Sequence, residues 1–153
     1  PFTLADMMLA KSAANPRFLR KACFRPAADE HPVGAQILGR DPATMAKAAG
    51  DLVTAGYDVI DLNFACPVPK VLRRRRGGFL MQQPETVKRI YQQVRNAVNC
   101  PVTMKLRAGF DSSETAREDY LKICADAADA GTQLLVGQDT PRPARVVSLP
   151  PAR

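Results

Sequence analysis

Val33-Gly-Ala-Gln-Ile-Leu-Gly39, followed by Arg40-Asp41-Pro42, and then Tyr57-Asp-Val-Ile-Asp-Leu-Asn63 after Gly56, is the stretch that decides the fold. Each apolar run is too short for a buried helix and has the length of a strand. Between them Asp41 can cap a helix and Pro42 can start it, because proline lacks only an N–H that a first turn leaves unpaired anyway. The helix is expected over about Ala43 to Ala55, with Gly56 just past its end. The result is a strand–helix–strand unit.

The same alternation continues outward. A helix is expected from about Pro84 to Val98, a strand at Val102-Thr-Met-Lys-Leu-Arg107, and a further helix from Thr115 to Ala130 stopping at Gly131. Upstream, Phe2 to Met8 reads as a strand and Pro16 to Cys23 as a short helix or turn. Such repeats build either a doubly wound open sheet or a (β/α)8 barrel. Gln36, Asn63, Lys105 and Arg107 fall at or near the ends of three separate strands, the place where barrels gather catalytic groups. No G-x-G-x-x-G opens a helix, which counts against a dinucleotide-binding sheet. A barrel takes about 250 residues, so 153 residues hold four to five βα units of a partial barrel. Residues 1–137 are assigned to it. From Gln138 to Arg153 the chain is rich in Pro and Arg without periodicity, and a disordered tail is expected there.

Composition sets wide bounds. With 46% hydrophobic and 24% charged residues the chain is an ordinary globular sequence. No run nears the roughly 20 apolar residues of a membrane helix. The four cysteines, Cys23, Cys66, Cys100 and Cys124, form no C-x-x-C pair and there is one histidine, His31, so no metal site is expected. Three of the cysteines are expected to be small buried hydrophobes. Free thiols and the lack of a signal segment point to the cytoplasm. A start without Met is expected to lie inside a longer protein. A net charge of +7 suits a polyanion such as nucleic acid equally with a plain basic surface.

Asp61-Leu-Asn-Phe-Ala-Cys-Pro67 is the sharpest local signal. A strand ends in an amide, turns through a small residue and presents a thiol before a proline. From the residues alone, Cys66 is either a buried loop cysteine or a thiol held at the barrel rim, able to give up a proton.

Gly56-Tyr-Asp-Val-Ile-Asp-Leu-Asn-Phe-Ala-Cys-Pro-Val-Pro-Lys-Val71 resembles the signature of the tRNA-dihydrouridine synthases. The likeness runs from about Phe2 to Gly131 through Gly77, Pro84-Glu85 and Pro101-Val-Thr-Met-Lys-Leu-Arg-Ala-Gly-Phe-Asp111. The resemblance implies FMN-dependent reduction of uridine in tRNA to 5,6-dihydrouridine with NADPH as reductant. It implies that Cys66 protonates C5 of the uracil, that Gln36 and Lys105 bind FMN, and that Asn63 and Arg107 meet the substrate. Lys70 and Arg73 to Arg76 would lie where tRNA arrives, although Arg75 and Arg76 stand where the family has small residues. The family's first strand would precede Pro1, and the flavin-binding histidine expected after Gly131 is absent from Thr132-Gln-Leu-Leu-Val-Gly-Gln-Asp-Thr140, as after a truncation or frame shift. The chain alone is therefore expected to be inactive. Two other readings remain open: an FMN barrel oxidoreductase acting on a free pyrimidine, and an inactive RNA-binding remnant.

Overall fold

A computed structural model of the chain describes residues 2–136. In chain order the elements are β1 (Thr3–Leu4), β2 (Met8–Leu9), α1 (Ala10–Ala13), α2 (Pro16–Leu19), a 3-10 turn (Ala22–Phe24), β3 (Val33–Leu38), α3 (Pro42–Thr54), β4 (Val59–Asn63), α4 (Pro69–Leu72), a 3-10 segment (Gly77–Gln82), α5 (Pro84–Ala97), β5 (Val102–Leu106), α6 (Glu114–Asp129) and β6 (Gln133–Val136). All strand pairs are parallel, in the order β1-β3-β4-β5-β6, with β2 also pairing β3. The sheet curls into half a barrel, as the strand–helix alternation predicts. The tail assigned to residues 138–153 lies outside the described residues.

Local chemistry explains the helix limits. Asp41 Oδ1 accepts from Thr44 N at 2.9 Å and from Thr44 Oγ1 at 2.5 Å, and Pro42 occupies the first turn of α3. These contacts, the Thr44 hydroxyl first, hold the Asp41 carboxyl below the usual carboxylate range. Gly56 follows the helix at φ 106°, a left-handed conformation that side chains resist. The α6 helix begins one residue earlier than the sequence suggests, because Ser113 Oγ accepts from Ala116 N and makes the cap.

Three expectations change. The first strand is split in two rather than running from Phe2 to Met8. Leu4 pairs Gly34 and Met8 pairs Ile37, so four steps on the first strand oppose three on β3. The extra residue is a bulge, the usual means of re-aiming a side chain. The basic loop after Cys66 is not irregular; it holds α4 and the 3-10 segment. Cys23 is exposed, whereas Cys100 and Cys124 are half-buried, and burial pushes both of those thiols up.

The two faces of the sheet differ by the two-residue period of strands. One face carries Ala35, Ile37, Ile60, Leu62, Met104 and Leu106, all at most 1% exposed. It packs in one cluster with Met45 and Leu52 of α3 and Ile90 and Val94 of α5. Burying each such large side chain contributes about 1.5–3 kcal/mol. The other face is polar and carries Gln36, Asp61, Asn63, Thr103 and Lys105.

Candidate active site

Register places the polar face in rows. Gln36 pairs Asp61 and Asp61 pairs Thr103; one step further along, Asn63 pairs Lys105. Neighbouring strands lie about 4.8 Å apart, so residues paired in this way can meet through their side chains.

They do. Thr103 Oγ1 donates to Asp61 Oδ1 at 2.6 Å, and Gln36 Nε2 donates to Asp61 Oδ2 at 2.6 Å. Asn63 Nδ2 donates to Gln36 Oε1 at 2.8 Å and to Met7 Sδ at 3.3 Å. Asn63 Oδ1 accepts from Ala65 N at 3.1 Å and from Cys66 N at 3.0 Å. The direction of this chain follows from its ends. Two backbone N–H groups can only donate, so they fix the Asn63 oxygen toward the loop. Asp61 then receives from both sides at the other end. Asp61 is 1% exposed, and a buried polar group without such partners would cost about 1–3 kcal/mol.

The network sets the position of Cys66. Asn63 holds its N–H, while Gly78 N donates to Cys66 O at 3.0 Å from the 3-10 segment. Gly77 lies so close that a Cβ there would stand 2.9 Å from both Cys66 Cβ and Cys66 O. Gly77 also has φ 55°, so glycine is required there on two counts. A Cβ at Gly78 would come within 3.3 Å of Arg107 Cδ.

A cavity of about 460 Å³ opens over this arrangement, lined by Met7, Gln36, Asn63, Ala65, Cys66, Pro67, Lys105 and Arg107. All five residues singled out in the sequence thus meet in one place, at the C-terminal ends of β3, β4 and β5. Lys105 is exposed, and its amine has no hydrogen-bond or ion-pair partner among the described residues. Gln36 retains one N–H and one lone pair beyond its bonds to Asp61 and Asn63. An aromatic ring with an imide edge could use both, and a cation beside it suits an electron-rich ring, so the donor set fits a flavin.

Asp61, Thr103 and Met7 were not singled out as site residues. Asp61 and Thr103 stand two positions before Asn63 and Lys105 and so share their face, a signal the sequence holds. Met7 reaches the site only through the bulge, which no periodicity announces.

Comparison with known proteins agrees with the geometry. The sequence model of the family described as Dihydrouridine synthase (Dus) matches residues 2–136. The tRNA-dihydrouridine synthase B of Vibrio cholerae serotype O1 is 42% identical over 100 residues, 65% of this chain and 30% of that protein. The tRNA-dihydrouridine(16) synthase of Pseudomonas putida is 44% identical over 108 residues, 69% of this chain and 32% of its own length. The tRNA-dihydrouridine synthase B of Escherichia coli K12 is 42% identical over 100 residues, with 65% and 30% covered. The matched stretch therefore spans about a third of these relatives. With its signature loop, its parallel half-barrel and a family match along the whole described chain, this chain belongs to the dihydrouridine synthase family.

Proposed function

We propose that the protein containing this chain reduces uridine in tRNA to 5,6-dihydrouridine, with FMN as cofactor and NADPH as reductant, in the cytoplasm. One observation carries the reading: Cys66, Asn63, Gln36, Lys105 and Arg107 line a single cavity at the strand ends. When bound, reduced FMN supplies the hydride that C6 of the uracil receives. Cys66 gives its thiol proton to C5, which balances the addition across the double bond. A positioned proton donor of this kind is worth about 10²–10⁴-fold in rate, and the contacts from Asn63 and Gly78 provide the positioning.

Gln36 and Lys105 would hold the flavin. Asn63 has its oxygen tied to the loop, so it can offer the base only its N–H, exchanging the weak acceptor Met7 Sδ for a uracil carbonyl. Arg107, beside Cys66 in the cavity, would meet the same base or its sugar-phosphate. A base stacked in tRNA must be flipped out to enter, at a cost of a few kcal/mol.

The test uses the protein that contains this chain, with Cys66→Ala. Dihydrouridine formation is expected to fall by about 10²–10⁴-fold, with FMN content unchanged. Normal turnover would remove Cys66 from the mechanism. Reduction of free uracil in preference to tRNA would favour instead a barrel enzyme for free pyrimidines.

A further inference from the structure

Next to the candidate active site lies a second cavity of about 340 Å³, formed by the C-terminal ends of β2 and β3, the start of α3 and the loop after α4. Three basic side chains line it: Lys11, Arg40 and Arg76. Its one acidic lining residue is Asp41, and an Asp41 oxygen already serves Thr44 N and Thr44 Oγ1. The helix N-terminus is thus occupied by its own cap, and the basic residues carry the excess charge.

Arg76 is the unusual member. Arg73, Arg74 and Arg75 are exposed, whereas Arg76 is half-buried. Its Nε is enclosed and has no hydrogen-bond partner, and its guanidinium forms no ion pair among the described residues. Desolvating part of a guanidinium beside two further cations is unfavourable unless an anion completes the set. The chain nevertheless turns this one arginine of four inward.

We infer that this pocket binds a backbone phosphate of the RNA, the one flanking the nucleotide whose base enters the Cys66 cavity. Position supports this choice. Arg76 is joined directly to Gly77, which lies against Cys66, and the chain passes from Met7 in the first cavity to Leu9 in the second. A nucleotide with its base over Cys66 would have its backbone at the rim between the two cavities. Arg73 and Arg74 continue the basic surface outward, which suits a long polyanion better than an isolated phosphate. Arginine also matches a phosphate with two parallel donors. The inference rests on the function proposed above, since it takes RNA as the substrate.

The test is the salt dependence of tRNA binding by the protein that contains this chain, compared across variants. Each phosphate contact contributes roughly 0.7–0.9 to the slope of log affinity against log salt. R76Q is expected to lower the slope by about that amount, while R76K keeps most of it. K11Q alters an exposed side chain with little bearing on folding, and is expected to lower the slope in the same direction. R89Q removes one charge from the exposed face of α5 and is expected to change nothing. Binding by the unaltered protein with the same slope in R76Q and K11Q would overturn the pocket while leaving the proposed function standing. Failure of the unaltered protein to bind tRNA at all would overturn both. Loss of FMN affinity in R76Q with an unchanged tRNA slope would give the pocket to the flavin phosphate, and the inference would again fall.

Discussion

Removal of the Asp61 carboxyl should damage the protein far more than its conversion to an amide. In Asp61→Ala, Gln36 Nε2 and Thr103 Oγ1 both lose their acceptor, in a place where Asp61 itself is 1% exposed. Each orphaned donor costs about 1–3 kcal/mol, so the loss is about 2–6 kcal/mol, a large share of the roughly 5–15 kcal/mol that holds a domain folded. Asp61→Asn keeps the shape. Its oxygen can face Gln36, and its new N–H groups can face Thr103, whose hydroxyl turns from donor to acceptor. The chain of bonds to Cys66 survives, and a cost of about 1 kcal/mol or less is expected. Adding Thr103→Val to the amide variant removes that escape and should restore a penalty. Urea unfolding of the single and double variants reads these differences directly. Equal losses in Asp61→Ala and Asp61→Asn, or a loss below about 1 kcal/mol in the alanine variant, would refute the directional network.

Gly77→Ala should both destabilise the chain and displace Cys66. The left-handed backbone alone costs about 1–2 kcal/mol, and the added Cβ meets Cys66 at 2.9 Å. A melting temperature and thiol reactivity equal to wild type would contradict this. At the far end of the sheet, Val33 N first and His31 second hold the Asp58 carboxyl below the usual range. A depressed folded pKa stabilises above the unfolded value, about pH 4, and that contribution is lost as the pH falls through the folded value. Asp58→Asn should therefore flatten the acid side of the stability profile, and an unchanged acid limb would argue against it.

The outer half of the fold was legible because burial on the helix side is total and its signals are local. Ala35 and Ile37, Ile60 and Leu62, and Met104 and Leu106 repeat with period two along their strands, Asp41-Pro42 marks the start of a helix and Gly56 its end. The observed limits of α3 and α5 fall within one residue of those expected. The clustering of the proposed site residues was legible for a different reason: Gln36, Asn63, Lys105 and Arg107 lie at or near strand ends, which parallel register brings together, whereas Cys66 stood out by its loop motif and the roles of all five came from the family resemblance. The bulge was not legible. It depends on how Leu4 and Met8 pair with β3, a choice made by tertiary contacts. Nor was the work of Asn63. Its oxygen stabilises the turn that presents Cys66, and whether an amide serves a turn or a ligand depends on which donors lie near it in space.

The basic loop shows how a departure from the family pattern can leave the site intact. Contacts with Cys66 are made by the backbone of Gly77 and Gly78, and Gly77, where the fit is tightest, is the glycine kept from the family pattern. Arg75 takes φ 54°. For a non-glycine residue that conformation costs about 1–2 kcal/mol. Its side chain is exposed and its guanidinium stands 6.0 Å from the Phe79 ring centre. Such an arrangement is worth about 0.5–1 kcal/mol at an exposed site. The strain is thus partly offset, and it falls on a residue that does not touch Cys66. Two arginines could enter the loop because the glycines after them carry the geometry that Cys66 requires. What the arginines change is the charge at the rim. Arg75 points to solvent and Arg76 turns inward, so one position adds general basic surface and the other creates a site with a defined place for an anion.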